Sequence, residues 1–229
     1  MILSIHTQGD RIVVGDVQES VTYATYKNRE NRMIIFADDT IPRWTTCTTM
    51  VDYDTVVGGD KFGNFFVDRL PASTSEEVDE DPTGNRLIYE KGYLQGAPHK
   101  VTHLCEYHVG ETLTSINRTT LVAGGKEVLC YTTVLGGIGV FIPFVNREDV
   151  DFFQNLEMHL RENAPPLCGR DHLAYRSYYI PVKNVIDGNL CEQYNLLPYE
   201  RKAMIAEELD KTVSEVSKKI EDMRVRVAF

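Results

Sequence analysis

Residues 45–70 read Thr45-Thr46-Cys47-Thr48-Thr49-Met50-Val51-Asp52-Tyr53-Asp54-Thr55-Val56-Val57-Gly58-Gly59-Asp60-Lys61-Phe62-Gly63-Asn64-Phe65-Phe66-Val67-Asp68-Arg69-Leu70, and they decide the fold. Thr45 to Asp52, Thr55 to Asp60 and Asn64 to Leu70 are rich in β-branched and aromatic residues, and the turn formers Tyr53-Asp54 and Phe62-Gly63 separate them. That alternation predicts an antiparallel meander. Upstream the pattern recurs: Arg11 to Val14 runs through Gly15-Asp16 towards Val21 to Tyr26, and Asn28-Arg29-Glu30-Asn31 turns the chain into Met33 to Ala37. Downstream it recurs once more, through Leu113 to Ile116, Val128 to Leu135, a turn at Gly136-Gly137, and Gly139 to Phe144. The step from Gly15 to Gly58 is close to the roughly 40–50 residues of a four-stranded propeller blade. Two or three blades cannot close a ring, because each must pack against a neighbour on both sides and propellers need at least about 4.

After Phe144 the apolar period changes from that of strands to that of helices. Asn146 is expected to cap a helix with Glu148, Asp149 and Asp151 in its first turn and Phe152, Phe153, Leu156 and Leu160 on one face, stopping near Pro165-Pro166. A short helix is expected to start at Asp187, and another to open at Pro198 and run to about Leu209. Thr212-Val213-Ser214-Glu215 is a capping box that opens a last helix with Val213, Val216, Ile220 and Met223 as its apolar stripe. Glu215 with Lys219, and Lys218 with Asp222, are spaced to pair on its outer face. The fold class expected is therefore mainly β with an α appendage: a partial, open β-propeller of about three blades over residues 1–145, then a small helical carboxy-terminal domain over residues 146–229. Between the second and third meanders lies an acidic insertion, residues 71–98. Its run Ser73 to Glu80 is read as a solvated loop, and Asp81-Pro82-Thr83-Gly84-Asn85 as a turn.

A chain of 229 residues with 42% hydrophobic content can bury a substantial core. A net charge of −10 repels a phosphate backbone, so the composition points to protein partners rather than nucleic acid. The five cysteines lie far apart with no C-x-x-C pair and are expected to be small buried apolar residues in a reducing compartment. The apolar run Val134 to Val145 is broken by Gly136, Gly137, Gly139 and Pro143, and no secretory pattern opens the chain, so an intracellular protein is expected.

Chemistry-bearing motifs are sparse. Gly124-Gly125-Lys126 has Glu127 where a phosphate loop needs Ser or Thr, and reads as a hairpin turn. His103, Cys105 and His108 resemble metal ligands, but in an extended strand His108 faces away from the other two. Asp171, His172 and Ser177 supply triad types without the turn that exposes a hydrolase nucleophile, so a serine hydrolase is the remote alternative. Asn117-Arg118-Thr119 matches a glycosylation acceptor that matters only on secretion. Trp44 is expected to pack in the core or at a blade edge. Arg170 and Arg176 sit in a stretch rich in Arg and Tyr, the types that dominate protein interfaces, and a turn between Pro181 and Asn184 should expose Lys183. No catalytic residue, cofactor site or metal site is expected.

Several strings carry a resemblance: Asp16-Val17-Gln18-Glu19-Ser20, Asp52 to Asn64, Asp79 to Asn85, Tyr107-His108-Val109-Gly110-Glu111, Pro166 to His172, and Glu215 to Asp222. They resemble the carboxy-terminal region of the splicing factor 3B subunit 3 family. The damaged-DNA-binding protein large subunit and the cleavage and polyadenylation specificity factor A subunit are wider relatives, sharing a version of Val185-Ile186-Asp187-Gly188-Asn189-Leu190. The resemblance implies the last blades of a third propeller and the helical domain that follows. It implies a nuclear, noncatalytic scaffold of the U2 small nuclear ribonucleoprotein, which supports branch-site recognition in pre-mRNA splicing. The partners implied are a HEAT-repeat subunit, a small helical subunit and a small zinc-finger subunit. By motif position, contacts are expected at Trp44, Asp52, Tyr53, Asp54, Asp60 and Lys61, in Thr112 to Leu135, and at Lys183, beside Arg170 and Arg176. A ubiquitin-ligase adaptor or a cleavage and polyadenylation subunit is the rival within the same propeller family.

Overall fold

The computed structural model describes residues 1–84, 86, 96–162 and 164–228, without the side chains of 226–228. Asn85 of the expected turn, and most of the second half of the 71–98 insertion, lie outside the described residues. The chain is mainly β with several helices, and the three sheets among the described residues are open. It divides into two units.

The first unit comprises Met1–Asn117, Tyr131–Gly139 and Tyr179–Lys183. One of its sheets has the order β1 (Ile2–Gln8), β2 (Arg11–Asp16), β3 (Ser20–Lys27), β4 (Arg32–Asp38), β8 (His99–Lys100). All pairs are antiparallel except β4 with β8. The other has the order β5 (Thr45–Met50), β6 (Thr55–Asp60), β7 (Asn64–Arg69), β9 (Thr102–His108), antiparallel throughout. One core joins them, built from Val13, Val21, Tyr23, Ile34 and Phe36 of the first sheet and Val56 and Phe66 of the second. The meander at 45–70 thus forms where β-branched residues predict it. Gly58 lets the aromatic β7 close down on β6: a Cβ there would lie 2.4 Å from the Phe66 ring.

β1 was not legible as a strand, because its exposed residues show no buried face; backbone pairing to β2 makes it one. The acidic run corrects the loop expectation. It forms helix α1 (Ala72–Glu80), because Val78 is buried in the core and Thr74 and Ser75 are buried beside it. Lys27 Nζ donates to the Val78 carbonyl at 2.7 Å, which closes the end of that helix onto β3. The charges of the run stand on the remaining face of one short helix.

A third, three-stranded sheet runs β10 (Leu113–Thr120), β11 (Glu127–Thr133), β12 (Ile138–Phe141). The hairpin between β10 and β11 holds Gly124-Gly125-Lys126, with Gly125 N–H donating to the Val122 carbonyl at 2.9 Å.

The second unit comprises Arg118–Cys130, Val140–Tyr178 and Asn184–Phe229. Its helices are α2 (Arg147–Arg161), α3 (His172–Arg176), α4 (Gly188–Glu192), α5 (Tyr199–Glu208) and α6 (Val213–Ala228). Phe152, Phe153, Leu156 and Leu160 of α2 meet Leu190, Tyr194, Ile205, Val216 and Ile220 in one core, so the period-3.6 reading holds. Asn146 stands at the cap position of α2 without a side-chain capping bond. The capping box of α6 forms, with Glu215 accepting from the Thr212 N–H and hydroxyl, both at 2.8 Å. That engagement departs from the expected Glu215–Lys219 pair: Lys219 instead reaches Asp149 at 2.9 Å and lies over the Phe152 ring. Among the described residues no helix is long and apolar enough to cross a membrane. The cysteines are free, as spacing predicts, but only Cys191 is buried; Cys168 is exposed and the others are half-buried, so burial is not their common role.

Candidate functional site

The β5–β6–β7–β9 sheet gathers Trp44, Asp52, Tyr53, Asp54, Asp60 and Lys61 of the expected partner-binding residues at two opposite ends. At one end is the β5–β6 turn, where the Asp52 and Asp54 side chains are half-exposed. Arg11, fully buried, stacks between Phe36 at 4.9 Å and Tyr53 at 4.4 Å. It donates to Ser75 Oγ at 2.8 Å and faces Asp79 at 3.4 Å and Asp54 at 3.6 Å. Tyr53 Oη donates to Asp79 at 3.3 Å. A buried cation therefore braces this acidic turn from below, while half-exposed Arg69 pairs with Asp52 at 3.6 Å on its outer side.

At the other end is the β6–β7 turn. Asp60 is buried, and its carboxylate accepts from Phe62 N–H at 2.8 Å, Asn64 N–H at 2.9 Å and Asn64 Nδ2 at 2.7 Å. This turn needs Gly63 at φ +84°, where a Cβ would strike the Glu111 backbone at 2.8 Å. Asp60 thus shapes the turn and does not face solvent, while Lys61 and Phe62 do. Lys61 Nζ lies 3.3 Å from the Trp44 ring centre and 5.0 Å from that of Phe62, and Tyr179 leans on Phe62 at 5.3 Å. Trp44 is 40% exposed, which corrects the core reading: the only indole of the chain caps a cation at the sheet edge.

Between the two ends lies a buried charge cluster that no local sequence signal announces. Arg43, 2% exposed, sits over the Phe66 ring at 4.3 Å. Its Nη1 donates to Asp39 and, at 3.2 Å, to Asp68, and its Nη2 donates to Glu106. His103 Nδ1 meets Asp68 at 2.7 Å and its Nε2 meets Thr40 at 2.9 Å. Burial pushes the Glu106 carboxyl up to about 7 against the pull of Arg43. Asp39 is raised by burial and by Asp68, and His103 is raised by its bond to Asp68. Asp39, Asp68 and His103 bring ligand atoms within 4.8 Å of one another, as a metal site would. The Arg43 guanidinium already bonds both carboxylates and supplies the cation that three acids require. The expectation that His108 faces away from His103 is corrected by a bulge in β9: the pairs Asn64–His108, Phe66–Glu106 and Asp68–His103 put both histidines on one face and Cys105 on the other. The two histidines take separate partners, Asp68 and Asn64.

Lys183 is exposed and lies along β9. Its N–H donates to the Glu106 carbonyl at 2.9 Å, its carbonyl accepts from Glu106 N–H at 3.1 Å, and its Nζ donates to the His103 carbonyl at 2.7 Å.

In the second unit Asp187 is the organising acid. Its Oδ2 takes His172 Nε2 at 2.7 Å and Arg176 Nη2 at 2.8 Å, and its Oδ1 caps α4 through Leu190 N–H at 3.2 Å. Burial acts against ionisation there, but the bonds from His172 and Arg176 hold the carboxyl well below the usual range. The triad types do not assemble: Asp171 caps α3 through Ala174 N–H at 3.0 Å, and His172 belongs to Asp187. Arg176 is spent on the same acid, while exposed Arg170 covers the Tyr178 ring at 4.3 Å. Arg43, Glu106 and Asp187 are thus polar centres that motif reading left unassigned. Asp187 alone had a cue, its place at an expected helix start.

The family model described as CPSF A subunit region matches residues 1–196. "Probable splicing factor 3B subunit 3" of Dictyostelium discoideum is 58% identical over 223 residues, 97% of this chain and 18% of its own length. "Splicing factor 3B subunit 3" of Danio rerio is 56% identical over 229 residues, all of this chain and 19% of its own length. "Pre-mRNA-splicing factor rse1" of Neurospora crassa is 54% identical over 229 residues, with the same coverage. The chain spans about a fifth of the length of the curated relatives it matches.

Proposed function

Because the chain belongs to the CPSF A subunit region family, we propose that it acts in pre-mRNA splicing as a noncatalytic scaffold segment of the splicing factor 3B complex. The observation that carries this reading is the identity of 52–58% to splicing proteins along nearly the whole chain. In this reading residues 1–145 are about three blades of an open propeller, and residues 146–229 are the small helical domain that follows. The setting is the nucleus, within the U2 small nuclear ribonucleoprotein, in support of branch-site recognition. The partners are the HEAT-repeat, small helical and small zinc-finger subunits.

Two features support holding rather than bond-making. The acid and base types of 171–177 are occupied, Asp171 with a helix cap and His172 with an ion pair to Asp187, and Trp44, Asp52, Tyr53, Asp54 and Lys61 group at the ends of one sheet. Trp44, Lys61, Asp52, Tyr53 and Asp54 are the proposed contact residues there, with Lys183 on β9 and Arg170 in the second unit; Asp60 and Arg176 act by fixing the local backbone.

The test is affinity capture from nuclear extract with the 229-residue chain as bait. Splicing factor 3B subunits are expected in the eluate, and Lys183→Glu is expected to weaken capture of the small helical subunit. Recovery of cullin or of cleavage factors in their place would move the chain to another branch of the family. Unchanged capture by Lys183→Glu would remove that residue from the contact set.

A further inference from the structure

The end of the sheet around Lys61 differs chemically from the rest of an acidic molecule. Trp44, Phe62 and Tyr179 are 40%, 41% and 52% exposed, and they are linked into one ridge by the ammonium of Lys61 and by the Phe62–Tyr179 contact. Exposed rings in a row are costly to leave in water and are enriched where partners dock. The nearby acids face inward: Asp60 is consumed by three N–H donors, and Glu111 accepts from the Thr133 hydroxyl at 2.5 Å. Lys61 makes no ion pair among the described residues, so the ridge has one fixed cation set between flat apolar surfaces. Its backbone is held on both sides, by its own N–H to the Trp44 carbonyl at 2.9 Å and by Thr112 Oγ1 to its carbonyl at 2.8 Å. A contact made there orders little that is not ordered already.

We propose that Trp44, Lys61, Phe62 and Tyr179 form a docking ridge for an extended segment of a partner protein, in which one carboxylate is flanked by apolar side chains. This rests on the scaffold reading and specifies the chemistry of one of its contacts. The carboxylate meets the Lys61 ammonium, and the flanking side chains lie on the Trp44 and Phe62–Tyr179 rings. Single-stranded RNA also stacks on aromatic side chains, but it needs a cationic track, and one lysine on a chain of net charge −10 is not a track.

Fluorescence anisotropy on the 229-residue chain tests this with a fluorescein-labelled peptide of alternating leucine and proline around a central glutamate. Its lysine counterpart and an oligouridine serve as the other arms. Saturable binding of the glutamate peptide is expected, weakened about tenfold or more by Lys61→Glu and by Phe62→Ala. The lysine peptide should prefer the Lys61→Glu chain. Absence of saturable binding, equal binding by both variants, or preference for oligouridine overturns the ridge. The same proteins are used to capture splicing factor 3B subunits from nuclear extract. Capture without any peptide binding overturns the ridge and leaves the scaffold reading standing, and peptide binding without capture does the reverse.

Discussion

Lys183 and Glu106 exchange both of their backbone hydrogen bonds, at 2.9 and 3.1 Å, so the segment that carries exposed Lys183 is fixed to the one residue of β9 whose carboxylate is buried against Arg43. A proposed contact residue is thereby coupled to a buried charge cluster. Whatever loosens the cluster acts on the backbone that presents Lys183.

Among the described residues, Arg43 is the only arginine or lysine set against Asp39, Asp68 and Glu106 together. Arg43→Met would leave those acids without their cation, a loss that costs about 3–5 kcal/mol for a buried pair. For a chain of this size that lowers the melting temperature on the order of 10 °C. Arg43→Lys keeps the charge but not the fork and should fall between. Differential scanning calorimetry reads both; a melting temperature unchanged in Arg43→Met would remove the cluster as a stabilising element.

The same cluster sets a pH dependence whose sign follows from the raised carboxyl of Glu106. An acid whose folded pKa lies above its unfolded value contributes stability that is complete below about 4.5 and is lost as pH rises through about 7. His103, also raised, adds in the same direction: its contribution is complete below about 6.5 and fades above. Denaturation midpoints should therefore fall between pH 5.5 and 8 in the wild-type chain, on the scale of this window. Glu106→Gln keeps the acceptor for Arg43, removes the titration, and should flatten the profile. A wild-type midpoint that rises across that interval relative to Glu106→Gln would mean that the Arg43 attraction outweighs burial.

Local pattern made the meander at 45–70 and the stripe of α2 readable, because each element's buried face repeats at the period of its own backbone. It failed where burial came from elsewhere. α1 looks like a solvated acidic run until Val78 is seen in a core built by strands as near as that of Phe66 and as distant as that of Val13. The Arg43 cluster joins a loop, β7 and β9, and a sequence offers no period to connect them. At the candidate site the residue types were legible and their orientation was not: Asp60 and Lys61 are neighbours, yet one is buried and the other exposed, because Gly63 and Asn64 close the turn around the Asp60 carboxylate.

The helical unit should respond locally to loss of a large buried side chain. Leu156, fully buried among Phe153, Leu190 and Val216, is expected to cost about 2–5 kcal/mol when cut to Ala. Urea denaturation followed by far-ultraviolet circular dichroism would detect it. A change below about 1 kcal/mol would mean that the surrounding helices collapse to fill the cavity.

Asp187 sets the opposite acid response to Glu106, which makes the two separable in one titration. Its carboxyl is held low by His172 and Arg176, so the stability it contributes is present above about 3.9 and is lost as pH falls through its folded pKa. Asp187→Asn keeps a side-chain oxygen for the Leu190 N–H but removes the charge that both His172 and Arg176 address. At pH 7 it should destabilise by about 1.5–3 kcal/mol, as expected for hydrogen bonds to a charged group, and the deficit should shrink as the wild-type acid becomes protonated. Hydrogen exchange at the Leu190 and Cys191 amides reports on this site without averaging over the sheets. If their protection in Asp187→Asn matches the wild type at pH 7, His172 and Arg176 are held by other contacts and Asp187 is only a helix cap.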